Sequence, residues 1–336
     1  MKLLVTGCAG FIGSAFVRTT LALNAATRIV NLDKLTYAGN LENLTSIDHD
    51  SRYRFVQGDI TDAVLIESLL AEEKPDAIVH FAAESHVDRS IHAPTPVFET
   101  NLRGTFTLLE AARAAKLERF VHVSTDEVYG SIDAPHDADE SYPLKASSPY
   151  SASKAGSDLL ALSYFTTYKL PVLVTRASNN YGPFQFPEKL IPLMISNALD
   201  GRDLPIYGDG QQVRDWLYVD DHCAGIRAVL SQGRSGEVYN IGGNCSLPNL
   251  EVVKRILKAT GQPDSLMKTV TDRPGHDRRY ALTSEKLEKE TGWSPQMDFD
   301  RGLAQTVDWY RQNRPWIDRI RTGEYRRFYE VNYAQR

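Results

Sequence analysis

Cysteine is scarce in this chain of 336 residues: Cys8, Cys223 and Cys245 stand far apart, with no CxxC or Cys/His spacing. That argues against a structural zinc site and fits a reducing compartment. Long apolar runs are missing too, since no segment approaches the roughly 20 residues that span a bilayer. The opening MKLLVT is short, breaks into glycine at once and has no cleavage-type end, so it reads as a first strand and not as a secretion signal. Excess positive charge is absent: the net charge is −5, so no nucleic-acid-binding face is suggested. An anionic ligand must therefore be held by locally placed Lys and Arg. There are no internal repeats and no low-complexity tract. The expectation is a cytoplasmic protein with no metal, nucleic-acid or membrane partner, long enough for one large or two modest domains.

What is present is an alternation of strand and helix signals. Apolar runs of strand length lie at 2–6, 28–32, 54–57, 77–82, 120–124 and 172–176. Helical patterns separate them at 11–23, 63–73, 97–116 and 150–169. Strands joined through helices predict an α/β, Rossmann-like, doubly wound parallel sheet that binds ligands beyond the carboxyl ends of its strands. After Asn179 the rhythm gives way to loops rich in Pro, Gly and aromatics, then to helices at 249–260 and 299–313. The expected division is a dinucleotide-binding domain over 1–180, with 212–245 returning to it through a strand at 237–241. A smaller C-terminal substrate lobe takes 181–211 and 246–336.

TGCAGFIG carries Gly7, Gly10 and Gly13 between a strand and a helix, and Asp33 ends the next strand. Such glycines permit a tight turn and close approach of a pyrophosphate to a helix N-terminus, while the carboxylate accepts the adenosine ribose hydroxyls. A carboxylate there repels a 2′-phosphate, so NAD is favoured over NADP. Asp59, ending the third strand, reads equally as an adenine contact or a turn residue. Tyr150 and Lys154, four apart in YSASK, share one helix face. A nearby ammonium and the positive nicotinamide ring would favour the phenolate of Tyr150; lowering a pKa of about 10 by about 3 units needs ~4 kcal/mol. FVHVSTDEVYG sets Asp126 and Glu127 side by side where a buried strand ends, either as a solvated turn cap or as paired acid and base. His80 and His122, within apolar strands, read as packed, hydrogen-bonded side chains, and His86 takes no role.

These segments, with HFAAESHVDRSI, RASNNYGPFQFPEKLIP and DRPGHDRRYA, resemble the extended short-chain dehydrogenase/reductases. More narrowly, the chain is similar to the dTDP-glucose 4,6-dehydratases from residue 2 to about 310, and Thr-Asp-Glu is the most specific part. Cys8 stands where that family has glycine, and Ala15 where it often has His. The resemblance implies that NAD takes a hydride from C4 of glucose, that water leaves across C5–C6, and that the hydride returns to C6. By resemblance Tyr150 takes the O4 proton, Thr125 hydrogen-bonds near O4, Glu127 is the base at C5 and protonated Asp126 donates to O6. It also implies cofactor contacts from Phe11, Ile12, Lys34, Leu35, Thr36, Asp59, Ile60, Phe81, Ala82, Ala83, Ser85, Thr100 and Asn180, besides Tyr150 and Lys154. The nucleotide-sugar contacts it implies are Ser85, Thr125, Asn179, Lys189, Leu190, Pro205, Ile206, Tyr207, Arg214, Asn249, Arg273 and His276. Arg214 and Arg273 suit phosphate oxygens, and Tyr207 suits stacking on thymine. A homodimer built on helices 97–116 and 150–169 is implied as well, with Phe106, Leu109, Leu160 and Tyr164 either at the interface or in the core. Two alternatives stay open: another nucleotide-sugar dehydratase or epimerase, such as a UDP-sugar enzyme, and a catalytically silent nucleotide sensor.

Overall fold

The computed structural model describes residues 1–321, so the end of the expected second lobe, 322–336, lies outside the described residues. In chain order the strands are β1 (Lys2–Thr6), β2 (Arg28–Asp33), β3 (Tyr53–Gln57), β4 (Ala77–His80), β5 (Arg119–Thr125) and β6 (Val172–Ala177). They continue with β7 (Asn179–Tyr181), β8 (Leu204–Tyr207), β9 (Val213–Tyr218), β10 (Val238–Ile241), β11 (Ser246–Pro248) and β12 (Met267–Val270). Seven of them form one sheet in the order β10-β6-β5-β4-β1-β2-β3, parallel throughout. The strand order reverses between β1 and β4, the place where such sheets leave a crevice beyond their carboxyl ends.

Both faces of this sheet are buried, as continuous apolar strands require. Along β1, Leu3 and Val5 pack with Phe16 of helix Phe11–Leu23 and Ile226 of helix Val219–Gln232. Leu4 points the other way, into a cluster with Ile66, Leu109 and Ala161 from helices Ala63–Glu73, Thr105–Ala114 and Pro149–Tyr168. The expected roles of Phe106, Leu109, Leu160 and Tyr164 therefore separate. Leu109 and Tyr164 are core, Leu160 packs partly against it, and Phe106 is 47% exposed.

Two elements depart from the periodicity. The strand expected over 77–82 stops at His80, because the Ala82 amide turns to Thr6 Oγ1 at 3.2 Å. The single helix expected over 97–116 is broken into Pro94–Phe98, a π-helical turn Glu99–Gly104, and Thr105–Ala114. A side chain at Gly104 would meet Ile60 at 2.4 Å, so the helix lies against the adenine-side loop at that point. The wide turn also aims Asn101 at Glu84, accepting from its amide at 2.8 Å and donating to its carbonyl at 2.9 Å.

The stretch 212–245 divides between layers. Helix Val219–Gln232 and β10 join the large sheet, but β9 sits in a three-stranded sheet of order β11-β9-β7. There Trp216 and Tyr218 bury against Tyr181, Phe299, Leu303 and the helix Asn249–Thr260 in a separate apolar cluster. Among the described residues no helix is long and apolar enough to cross a membrane. All three cysteines are free thiols.

Candidate active site

The Gly-rich turn has no spare room. Gly7 adopts φ +78°, and a Cβ there would lie 2.6 Å from the Ala82 amide nitrogen; at Gly13 it would lie 2.4 Å from the Gly7 carbonyl oxygen. The left-handed angle falls on Gly7, so Cys8 needs none, and its buried amide donates to Asn31 Oδ1 at 3.3 Å. Asp33 accepts from the amides of Ala9 and Leu35, both at 2.8 Å. Burial raises its pKa and the two amide bonds oppose that. Asp59 is a turn residue, accepting from Thr61 N at 2.9 Å; it also pairs with Lys34 Nζ at 2.6 Å and lines the crevice.

The crevice holds about 340 Å³. Of the residues expected on the cofactor side, every one lines it except Leu35, whose backbone (φ +58°) turns its amide back to Asp33. A second cavity, of about 130 Å³, lies beneath the other lobe. Asn179, Lys189, Leu190, Pro205, Ile206, Tyr207, Arg214, Asn249, Arg273 and His276 line it, whereas Ser85 and Thr125 belong to the first cavity alone. Glu127, Asn179, Lys189, Leu190, Glu188 and Trp216 line both, so the two cavities meet there.

Glu127 stands at that junction, with Thr125 and Asp126 beside it in the first cavity, where β5 ends in a tight 3-10 turn, Asp126–Tyr129. Thr125 Oγ1 donates to Asp126 Oδ1 at 3.2 Å and accepts from the Glu127 amide at 3.3 Å. Burial pushes the Asp126 carboxyl well above its ordinary range, and the charges of Glu127 and Asp215 add to the effect. Burial raises Glu127 as well, but Arg273, Lys189 and Arg214 all act to keep it ionised. Both carboxyls are therefore raised, Asp126 the further, because more cations oppose the rise in Glu127.

Helix Pro149–Tyr168 starts from a capping box between Ser148 and Ser151, which fixes Tyr150 in its first turn and Lys154 one turn on. Lys154 Nζ donates to the Val123 carbonyl at 2.8 Å, and burial brings its pKa down to about 8. The phenolate expected from Lys154 is not favoured by this chain alone. Burial, then the charge of Glu127, push the Tyr150 phenol above its ordinary value, opposed by a hydrogen bond to Thr125. One donor of the Lys154 ammonium is held by a β5 carbonyl, and the largest charge effect on the phenol is that of an anion, Glu127.

In the second cavity Arg273 Nη1 donates to Asp88 Oδ1 at 2.7 Å and the Tyr207 hydroxyl donates to Asp88 Oδ2 at 3.1 Å. Arg214 donates to the Asp277 carbonyl at 3.0 Å and stacks over Tyr280. His276 packs edge-on to Tyr207 and pairs with Asp272 at 2.6 Å. Asp88, Asn101 and Trp216 were missed from sequence, and nothing local marks them; each matters through a partner remote in the chain. His222, also missed, bonds Asn180 Oδ1 at 2.9 Å. His80 lies between Thr6 at 2.8 Å and Thr105 at 3.0 Å, and His122 bonds Ser157 at 3.0 Å, the structural roles expected of both.

A family model described as GDP-mannose 4,6 dehydratase matches residues 4–306. A dTDP-glucose 4,6-dehydratase of Xanthomonas campestris pv. campestris is 52% identical over 96% of this chain and 97% of its own. One from Actinoplanes sp. is 54% identical over 94% and 99%. Among solved structures, a Streptomyces venezuelae dTDP-glucose 4,6-dehydratase with NAD bound superposes with a TM-score of 0.93 at 55% identity, covering 95% of this chain and 100% of that one. A Thermus thermophilus UDP-glucose 4-epimerase in complex with NAD gives 0.87 at 32% identity, covering 93% and 100%. The fold is therefore common to dehydratase and epimerase, and the distinction falls to particular side chains and to closer sequence kinship.

Proposed function

We propose that this chain, which belongs to the GDP-mannose 4,6-dehydratase family and within it to the dTDP-glucose 4,6-dehydratases, divides its reaction among five side chains. The reaction converts dTDP-glucose to dTDP-4-keto-6-deoxyglucose and water, with NAD as cofactor. The first cavity suits that cofactor: its turn admits no Cβ at Gly7 or Gly13, and a buried carboxylate, Asp33, ends β2 beside it. Gly7 to Gly13 would cradle the pyrophosphate, Asp33 to Thr36 the adenosine ribose, and Asp59 and Ile60 the adenine. NAD bound there would supply the hydride acceptor for C4 and the hydride donor for C6.

Tyr150 removes the proton from the 4-hydroxyl, aided by Thr125 and by the fixed ammonium of Lys154. A ketone at C4 then acidifies the C5 proton, which Glu127 abstracts. Asp126 donates its proton to the departing 6-hydroxyl, because hydroxide is a poor leaving group. The observation that carries this assignment is the adjacency of Asp126, in the first cavity, and Glu127, where the cavities meet: burial and the charges of Glu127 and Asp215 drive the first carboxyl well up, while Arg273, Lys189 and Arg214 oppose the rise in its neighbour. Epimerisation at C4 has no use for a base and an acid at C5 and C6. Lys189, Arg214, Arg273 and His276 with Tyr207 and Asn249 hold the nucleoside diphosphate in the second cavity, and Asn179 the sugar.

A homodimer and a cytoplasmic location complete the reading. Phe98, Phe106, Leu159 and Tyr168, exposed on or beside the two helices expected to pair, support the first. Three free thiols are in keeping with the second. Proton NMR of the purified protein, without added cofactor, on dTDP-glucose and UDP-glucose separately tests the whole. A new C6 methyl signal from dTDP-glucose alone is expected. A galactose signal without a methyl would mean epimerisation and would remove the roles given to Asp126 and Glu127.

A further inference from the structure

We propose that Tyr37, Arg89 and Glu188 form a latch across the mouth of the first cavity that holds the cofactor in place between turnovers. This rests on reading that cavity as the site of a retained NAD. The three residues come from the loop after β2, from helix Val87–His92 and from the segment that precedes helix Leu190–Leu199. The Tyr37 hydroxyl donates to Glu188 Oε1 at 2.8 Å, and Arg89 Nε donates to Glu188 Oε2 at 3.1 Å. The Arg89 guanidinium lies 3.7 Å from the centre of the Tyr37 ring, and Phe186 meets the same ring edge-on at 5.6 Å.

The position of this cluster is what suggests a latch. Glu188 is 4% exposed and lines both cavities, while Tyr37 and Arg89 line neither. Both oxygens of Glu188 are therefore committed to groups outside the cavity walls. A buried carboxylate at the lip of an anion site is unfavourable unless paired, and Arg89 supplies the pair. The loop after β2 begins at Asp33, on the ribose side, so the contact ties that side of the crevice to the segment shared with the substrate cavity. A second tie runs parallel to it, from Lys189 Nζ to the Ser85 carbonyl at 2.6 Å. A dinucleotide lying along Gly10 to Gly13 could leave only if the two loops part. Because the hydride returns to the ring that took it, turnover never requires that parting.

The test uses the holoenzyme and isotopically labelled NAD. Tyr37→Phe removes the hydroxyl but leaves the ring for Arg89, and Glu188→Gln keeps the shape but removes the charge. Exchange of bound for free NAD should quicken by about tenfold or more in each, the scale of one charge-assisted hydrogen bond. Tyr37→Phe at saturating NAD should keep kcat within about twofold, and cofactor-free protein should melt unchanged. Wild-type exchange rates in both variants would overturn the latch. So would a wild-type protein that needs added NAD to form the C6 methyl, which would leave the dehydratase reading intact. Failure to convert dTDP-glucose even with added NAD would instead sink that reading, and the latch with it.

Discussion

The cavity beside Gly7 is lined mostly by short runs of residues adjacent in the chain, such as 10–13, 58–60, 81–85 and 123–127, and every glycine that shapes it is packed to contact. The cavity beside Arg273 is assembled from side chains contributed by β8, β9, helix Asn249–Thr260 and a loop after β12, meeting Asp88 from the other lobe. A dinucleotide offers the same pyrophosphate and ribose in every turnover, so a rigid backbone cradle serves it. A nucleotide sugar must enter and leave, and the second cavity offers it long side chains, two of them held by the buried Asp88. The first plan leaves no room for an added Cβ at Gly7 or Gly13; the second depends on charge carried by long side chains.

The comparison breaks most sharply where the cavities join. Tyr150→Phe should lower kcat by about 10²–10⁴-fold with NAD still bound, as expected for loss of a general base. Glu127→Gln should cost about as much and leave a different trace. Reduced cofactor should accumulate on dTDP-glucose while solvent deuterium no longer enters C5, read by absorbance and NMR.

Next in size is Gly7→Ala. A non-glycine residue forced to φ +78° costs about 1–3 kcal/mol before the collision with Ala82 is counted. The expected result is a lower melting temperature and a protein purified without NAD, both measurable on one sample. Arg273→Lys on the other side should raise KM by about tenfold and leave kcat within about threefold, since charge persists but the two-pronged contact is lost. If Gly7→Ala were mild and Arg273→Lys abolished binding, the contrast between the two plans would be wrong.

A pH profile sharpens the same line. Lys154 is pulled down to about 8, so its ammonium is lost as pH rises through that value, and kcat should fall on the alkaline side near there. Lys154→Arg keeps its charge to far higher pH and should move the limb upward even if the maximum is lower. The smallest effect belongs to Lys34→Ala. Its pair with Asp59 is largely exposed and worth at most about 1 kcal/mol, so NAD affinity should change less than about fivefold.

Much of this was written in local pattern. Helices Phe11–Leu23, Ala63–Glu73 and Asn249–Thr260 have the bounds their apolar spacing predicts, and β1 and β6 fall where the runs do. Tyr150 and Lys154 share a helix face because four residues are close to one turn, and the Gly-rich turn needs only its own neighbours and Ala82. Apart from the close approach of Ala82 to Gly7, these features depend on interactions short in sequence, so composition and period determine them. Tertiary structure alone decided the rest. The π-helical turn Glu99–Gly104 follows from contact with Ile60 and Glu84, Asp88 acquires meaning from Arg273, and Tyr37 from Glu188. The divergence of Asp126 and Glu127 is of the same kind. Adjacent identical functional groups differ only through desolvation and the charges brought near them, and apart from each other those charges come from residues more than fifty positions away.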